Sequence, residues 1–140
     1  MGSETSGAQA VRPRSGRARR DELRALLDDA ASVLGVGPIR LRQTWEVQEN
    51  GETLNDEVRA WPDDVYVLGQ RLRLRLGAQD TVVTRYNEVR ERLLEAGQLA
   101  ADAEEQGREN AVLRFETARD EFLAAAQAKL DAPIPDKEQG

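Results

Sequence analysis

Two stretches of the chain place apolar residues at three- and four-residue spacing, the rhythm of an amphipathic helix. In residues 19–34, Leu23, Leu26, Leu27, Ala30 and Leu34 share one face. Asp21 and Glu22 stand in the first turn, where the positive end of the helix dipole favours them. Gly35 offers a C-cap, and Gly37-Pro38 is expected to end the element. Residues 80–131 contain no proline. Val82, Tyr86, Val89, Leu93, Ala96, Ala100 and Ala103 form a narrow seam there, and Val112, Phe115, Ala118, Phe122, Leu123, Ala126 and Leu130 a broader one. The two stripes differ little in phase, so one straight helix about 75 Å long is tolerated. A hairpin bending at "EEQGREN", with Gly107 as C-cap and Asn110 as N-cap, buries both faces more easily and is favoured.

Residues 39–77 are ambiguous. "IRLRQTWEV" places Ile39, Leu41, Trp45 and Val47 on one parity, and Asn50-Gly51 is a hairpin signal. Trp61-Pro62 then interrupts, because the residue before a proline is pushed out of the α region. In "GQRLRLRLG", 69–77, leucine and arginine alternate. As a strand, Leu72, Leu74 and Leu76 would face the core, and Arg71, Arg73 and Arg75 the other side. As a helix, Val65, Leu68, Gly69, Leu72 and Leu76 fall within about 60° of one direction, with Val67 and Leu74 opposite. A strand needs a partner, and 39–48 is the only one on offer, so helix is favoured. The expected fold is all-α, a four-helix-like bundle of 19–34, a short or irregular 39–60, 63–77 and the hairpin 80–105/109–131. The alternative is α+β, with a small sheet from 39–48 and 65–76. Residues 1–18 read as a flexible basic arm, 19–131 as the helical domain and 132–140 as a tail.

Composition narrows the chemistry. The chain has 140 residues, no cysteine and no histidine. Thiol catalysis, disulfides, Ser-His-Asp triads and histidine metal sites are therefore excluded within it. No apolar run is long enough to span a membrane and no secretory signal is visible, which points to the cytoplasm. The net charge is −6, and of the 20 basic residues only Lys129 and Lys137 are lysine. A GC-rich coding bias is the favoured explanation, and selection of arginine for bidentate anion binding is the alternative.

The basic arm is the first candidate site. Arg12, Arg14, Arg17, Arg19 and Arg20 face a single acid, Glu4, and could lie on phosphates. No aromatic is interleaved for base stacking, and the remaining chain is strongly acidic, which argues against nucleic acid. "EVQENGETLNDE", 46–57, resembles a calcium loop in outline, but Glu46 is too long for the tight first position and Thr53 replaces the usual aliphatic residue. A polar loop or hairpin is the simpler reading. Asp28/Asp29 and Asp63/Asp64 are explained by helix solvation and capping rather than acid–base catalysis. Trp61, Phe115 and Phe122 are either core anchors or hot spots for a partner, Trp61 above all.

At "RLRLRLG…VVTRYNEV" and "ARDEFLAAAQAKL" the chain resembles a loose group of uncharacterised helical proteins from GC-rich bacteria, through Arg71, Leu72, Arg75, Leu76, Gly77, Val82, Val83 and Tyr86. The resemblance implies helix for 69–77 and carries no activity. The expected function is a non-catalytic protein–protein interaction, by self-association or as an adaptor, with no cofactor. A nucleic-acid-associated protein using the arginine arm is the alternative.

Overall fold

The computed structural model describes residues 16–99 and 103–133, and among these the chain forms five α-helices and no strand. The all-α expectation holds, and the α+β alternative does not. Helix α1 (Gly16–Gly35) buries Leu26, Leu27, Ala30 and Leu34. It opens three residues ahead of the expected start at residue 19, so Arg17 and Ala18 are already helical.

Helix α2 (Gly37–Asn50) follows after Val36 alone. Gly37-Pro38 thus starts a helix as well as ending one. Pro38 lies in the first turn, where the N–H it lacks would have no partner. Asn50-Gly51 closes α2 instead of turning a hairpin. Gly51 is left-handed (φ 66°) and its N–H donates to the Gln48 carbonyl at 3.3 Å. The Glu52 N–H reaches back to Val47 at 3.0 Å, completing a Schellman cap. Both turns require a left-handed residue, so the dipeptide alone does not separate them.

Helix α3 (Asp56–Leu76) continues without a break through Trp61-Pro62. The Asn55 side chain caps it by accepting the Val58 N–H at 2.9 Å. An interior proline costs about 3 kcal/mol. The reason it is tolerated is the stripe Val58, Trp61, Val65, Leu68 and Leu72, all buried at alternating three- and four-residue steps. Burial of the two side chains ahead of the proline, Val58 and Trp61, is worth about 1.5–3 kcal/mol each. The Trp61 indole also donates to the Val33 carbonyl at 2.7 Å. In "RLRLRL" the leucines then separate as helical geometry demands. Leu72 is buried, Leu76 is half-buried and Leu74 is 87% exposed.

Helices α4 (Thr81–Gly97) and α5 (Glu105–Asp131) form the expected hairpin, with the break about ten residues early. Gly97 is the last residue of α4, whereas Gly107 and Asn110 lie inside α5. The alanine seam stops at the buried Ala96, while Ala103 stands in the connection and Ala100 lies outside the described residues. Helix-end carbonyls lack an intrahelical donor. Here the Trp45 indole donates to the Ala96 carbonyl at 3.2 Å, so α2 helps terminate α4.

Ion pairs and hydrogen bonds fix the directions. Arg75 to Glu22 and Arg71 to Asp29 set α3 antiparallel to α1. The Tyr86 hydroxyl donates to Val65 at 2.7 Å, setting α4 against α3, and Arg85 to Glu121 sets α5 against α4. Arg20 donates to the Ala132 carbonyl at 2.6 Å and closes the ring from α1 to α5. Helices α1, α3, α4 and α5 are thus an up-down-up-down bundle. Helix α2 lies across the end where α1 and α4 finish. It packs so closely that a Cβ on Gly37 would fall 2.3 Å from the Phe115 ring. Among the described residues, no helix is long and apolar enough to cross a membrane.

Candidate recognition surface

The aromatic candidates belong to the core. Trp61, Phe115 and Phe122 are all buried, with Trp61 against Phe115 (ring centroids 6.4 Å apart) and Phe122 edge-on to Tyr86 (5.3 Å). Their role as exposed hot spots is corrected accordingly: they supply the apolar interior that the α4–α5 hairpin needs. Arg12 and Arg14 lie outside the described residues. Arg17 is exposed on the first turn of α1. Arg20 is committed to Ala132, and the Arg19 carbonyl accepts from Arg75 at 2.8 Å. A cavity of about 520 Å³ opens at this end between Arg19, Arg20, Leu23, Arg75, Lys129 and Leu130. Two of its four cations are matched in place, Arg75 by Glu22 and Lys129 by Asp80.

The acidic candidates are also dispersed. Glu46 is on α2 and Glu57 in the first turn of α3, where Arg40 lies 3.6 Å from it. Asp63 and Asp64 are exposed in the interior of α3, not at its start, and Asp29 faces Arg71. No group of three or more acidic side chains is gathered as metal ligands would be, among the described residues. A second cavity, about 470 Å³, lies between α2 and α5, where Arg108 covers the Trp45 ring at 5.5 Å and pairs with Glu49.

The flank between α3 and α4 is different in kind. Gly69 is why the helices meet closely there: a Cβ would approach the Tyr86 ring to 3.1 Å. Above this contact lies a groove of about 260 Å³, lined by Tyr66, Gln70 and Arg73 of α3 and by Val83, Asn87 and Arg90 of α4, with Ala78 at its foot. No acid lines it. The Arg90 guanidinium sits over the Tyr66 ring at 4.9 Å, a cation–π geometry that leaves its N–H groups available. Burial pushes the Tyr86 phenol above the ordinary tyrosine range, and the positive charge of nearby Arg90 opposes that shift.

Several arginines on the adjoining faces meet acids. Arg85 and Glu88, Arg92 and Glu95, and Arg119 and Glu116 pair along their own helices. Arg71 and Arg75 pair across to α1. Arg73 and Arg90 do neither, and no ion pair engages them among the described residues. The residues three and four places away explain the missing pair within each helix: Gly69, Gln70, Leu76 and Gly77 around Arg73, and Tyr86, Asn87, Leu93 and Leu94 around Arg90.

Exposed apolar side chains stand on the same two helices, Tyr66 in the groove and the others beyond its lining. Tyr66 is 47% exposed, Val67 53% and Leu94 46%, and Leu74 stands almost free. Val67 and Leu74 are seven residues apart and share the outward stripe of α3. Leu94 is eleven residues from Val83, about 20° away in helical phase, and so continues the groove side of α4. Sequence reasoning picked out "RLRLRL" but not this surface. Its readable signal was the missing acid partner of Arg73 and Arg90; the meeting of the two helices was not readable. Comparison with protein-family models, with curated proteins and with solved structures found no match to the chain.

Proposed function

We propose that the protein is a non-catalytic recognition module that binds a partner protein through the α3–α4 flank. The observation that carries this reading is the coincidence of two arginines outside any ion pair with exposed tyrosine, valine and leucine, on an acidic chain. Tyrosine and arginine are enriched where binding energy concentrates. Charge complementarity selects the occupant, a segment of a partner that brings acidic groups to Arg73 and Arg90 and apolar side chains to Val67 and Leu74. A two-fold dimer on this face would gather the arginines of both copies in one acid-free interface, which disfavours self-association.

A photo-crosslinking residue placed at Val67 or Leu74 in cells tests the reading against the same residue at Thr117 or Ala124, both exposed on α5. The first pair should capture a defined protein that, once purified, binds the wild type and loses affinity for Val67→Glu/Leu74→Glu. Val67 and Leu74 are exposed, so the double variant should fold normally by circular dichroism. Equal capture from α5, capture of a second copy of this chain, or undiminished binding by the double variant would overturn the proposal.

A further inference from the structure

The groove has room for more than a single contact, and its donors point to one ligand chemistry. Arg73 and Arg90 come from different helices and line the groove from its two sides. Gln70 and Asn87 bring side-chain amides to the same rim. Arginine recognises oxyanions with paired, parallel N–H donors, and hydrogen bonds to an ionised acceptor are about twice as strong as neutral ones. A carboxylate brings one negative charge. A phosphate monoester brings about −1.5 to −2 at neutral pH, with three acceptor oxygens. Two guanidiniums without acid partners match the second in charge, and four donor side chains match it in hydrogen-bonding capacity.

We infer that the groove lined by Tyr66, Gln70, Arg73, Asn87 and Arg90 is a phosphate-monoester site, one that reads a phosphorylated side chain on the partner segment. The inference rests on the α3–α4 flank being the recognition surface and names the chemistry recognised there. Tyr66 holds the Arg90 guanidinium from one face, which orients its edge for the anion. Gly69 keeps the floor open to the Tyr86 ring. Because the second phosphate ionisation lies near pH 6, binding strengthens as pH rises from about 5 to about 7.5.

The experiment titrates the full chain, isotope-labelled, with phenyl phosphate, inorganic phosphate and acetate at constant low ionic strength, following amide and arginine side-chain resonances. Saturable shifts at Gly69, Gln70, Asn87 and Arg90 are expected with both phosphates. Acetate should bind at least about tenfold more weakly, given the difference in charge. Arg73→Gln or Arg90→Gln should weaken phenyl phosphate by about tenfold, as loss of a charge-assisted bond predicts, while Arg114→Gln on α5 leaves it unchanged. Equal binding of acetate would replace the phosphate by a carboxylate and overturn the inference. So would shifts that never saturate, or that Arg114→Gln reduces as much as Arg73→Gln. Failure here with Val67→Glu/Leu74→Glu still abolishing partner binding removes the phosphate site alone. Phosphate binding with an unaffected partner removes the recognition surface.

Discussion

Helix α3 carries three arginines in "RLRLRL", and its two flanks treat them differently. On the α1 side, Arg71 and Arg75 stand one turn apart and meet Asp29 at 3.8 Å and Glu22 at 3.1 Å. On the α4 side, Arg73 faces a groove with Arg90 and no acid. The same residue type, separated by two positions, is structural on one flank and uncommitted on the other. A rotation of about 200° around the helix axis accounts for the separation. None of the three has an acid three or four places away on α3, so the neighbouring helix decides which of them is paired.

Both flanks rest on one core, so the largest expected effect should fall on both together. Phe122→Ala removes a fully buried ring and should cost roughly 3–5 kcal/mol. Its melting temperature should fall by the same amount at every protein concentration, because the ring is covered within one chain. A loss that grows on dilution would mean that a second copy helps to bury the ring.

The next effect concerns the α4 flank alone. The buried Tyr86 phenol has its pKa raised in the folded state above the ordinary tyrosine value of about 10. A raised folded pKa gives stability that is complete below the unfolded value. It is lost as pH climbs from there through the folded value. Wild-type stability should therefore drop above about pH 10 relative to Tyr86→Phe, and denaturant unfolding from about pH 8 to about pH 11 measures the difference. Arg90→Gln removes the opposing positive charge, raises the folded value further and extends the loss to higher pH without steepening it. Parallel curves for wild type and Tyr86→Phe would contradict the placement of Tyr86.

The smallest effects compare the flanks directly. Arg75→Gln breaks a partly exposed ion pair and should cost at most about 1 kcal/mol. Arg73→Gln breaks no ion pair and should leave the unfolding midpoint unchanged. A larger loss from Arg73→Gln than from Arg75→Gln would mean that the groove is held together by Arg73 rather than open to a ligand.

The helical faces of 19–34 and 80–131 were legible because their apolar spacing agrees with their burial from Leu26 to Leu130, except at Leu123, which is 37% exposed. The punctuation between helices was harder to read. Asn50-Gly51 serves a hairpin and a Schellman cap equally, Gly37-Pro38 serves a helix start as well as an end, and Pro62 is outvoted by a stripe that begins at Val58. The end of α4 falls at Gly97 and takes a hydrogen bond from Trp45, 51 residues away, which no local pattern announces. The recognition surface is legible in one half: the absence of acids around Arg73 and Arg90 can be read from spacing. That these two arginines share a groove follows only from Gly69 letting α3 approach Tyr86.

The most direct test of the contrast is the affinity of the crosslinked partner for two paired variants, Arg73→Gln/Arg90→Gln and Arg71→Gln/Arg75→Gln, measured by calorimetry at fixed ionic strength. Each removes two positive charges from α3 or its neighbour, so net charge is held equal between them. The Arg73/Arg90 pair should lose more than about tenfold in affinity, as truncating desolvated charged contacts does, and the Arg71/Arg75 pair should bind within about twofold of wild type. Equal losses from both pairs, or a greater loss from Arg71/Arg75, would contradict the assignment of recognition to the α3–α4 flank.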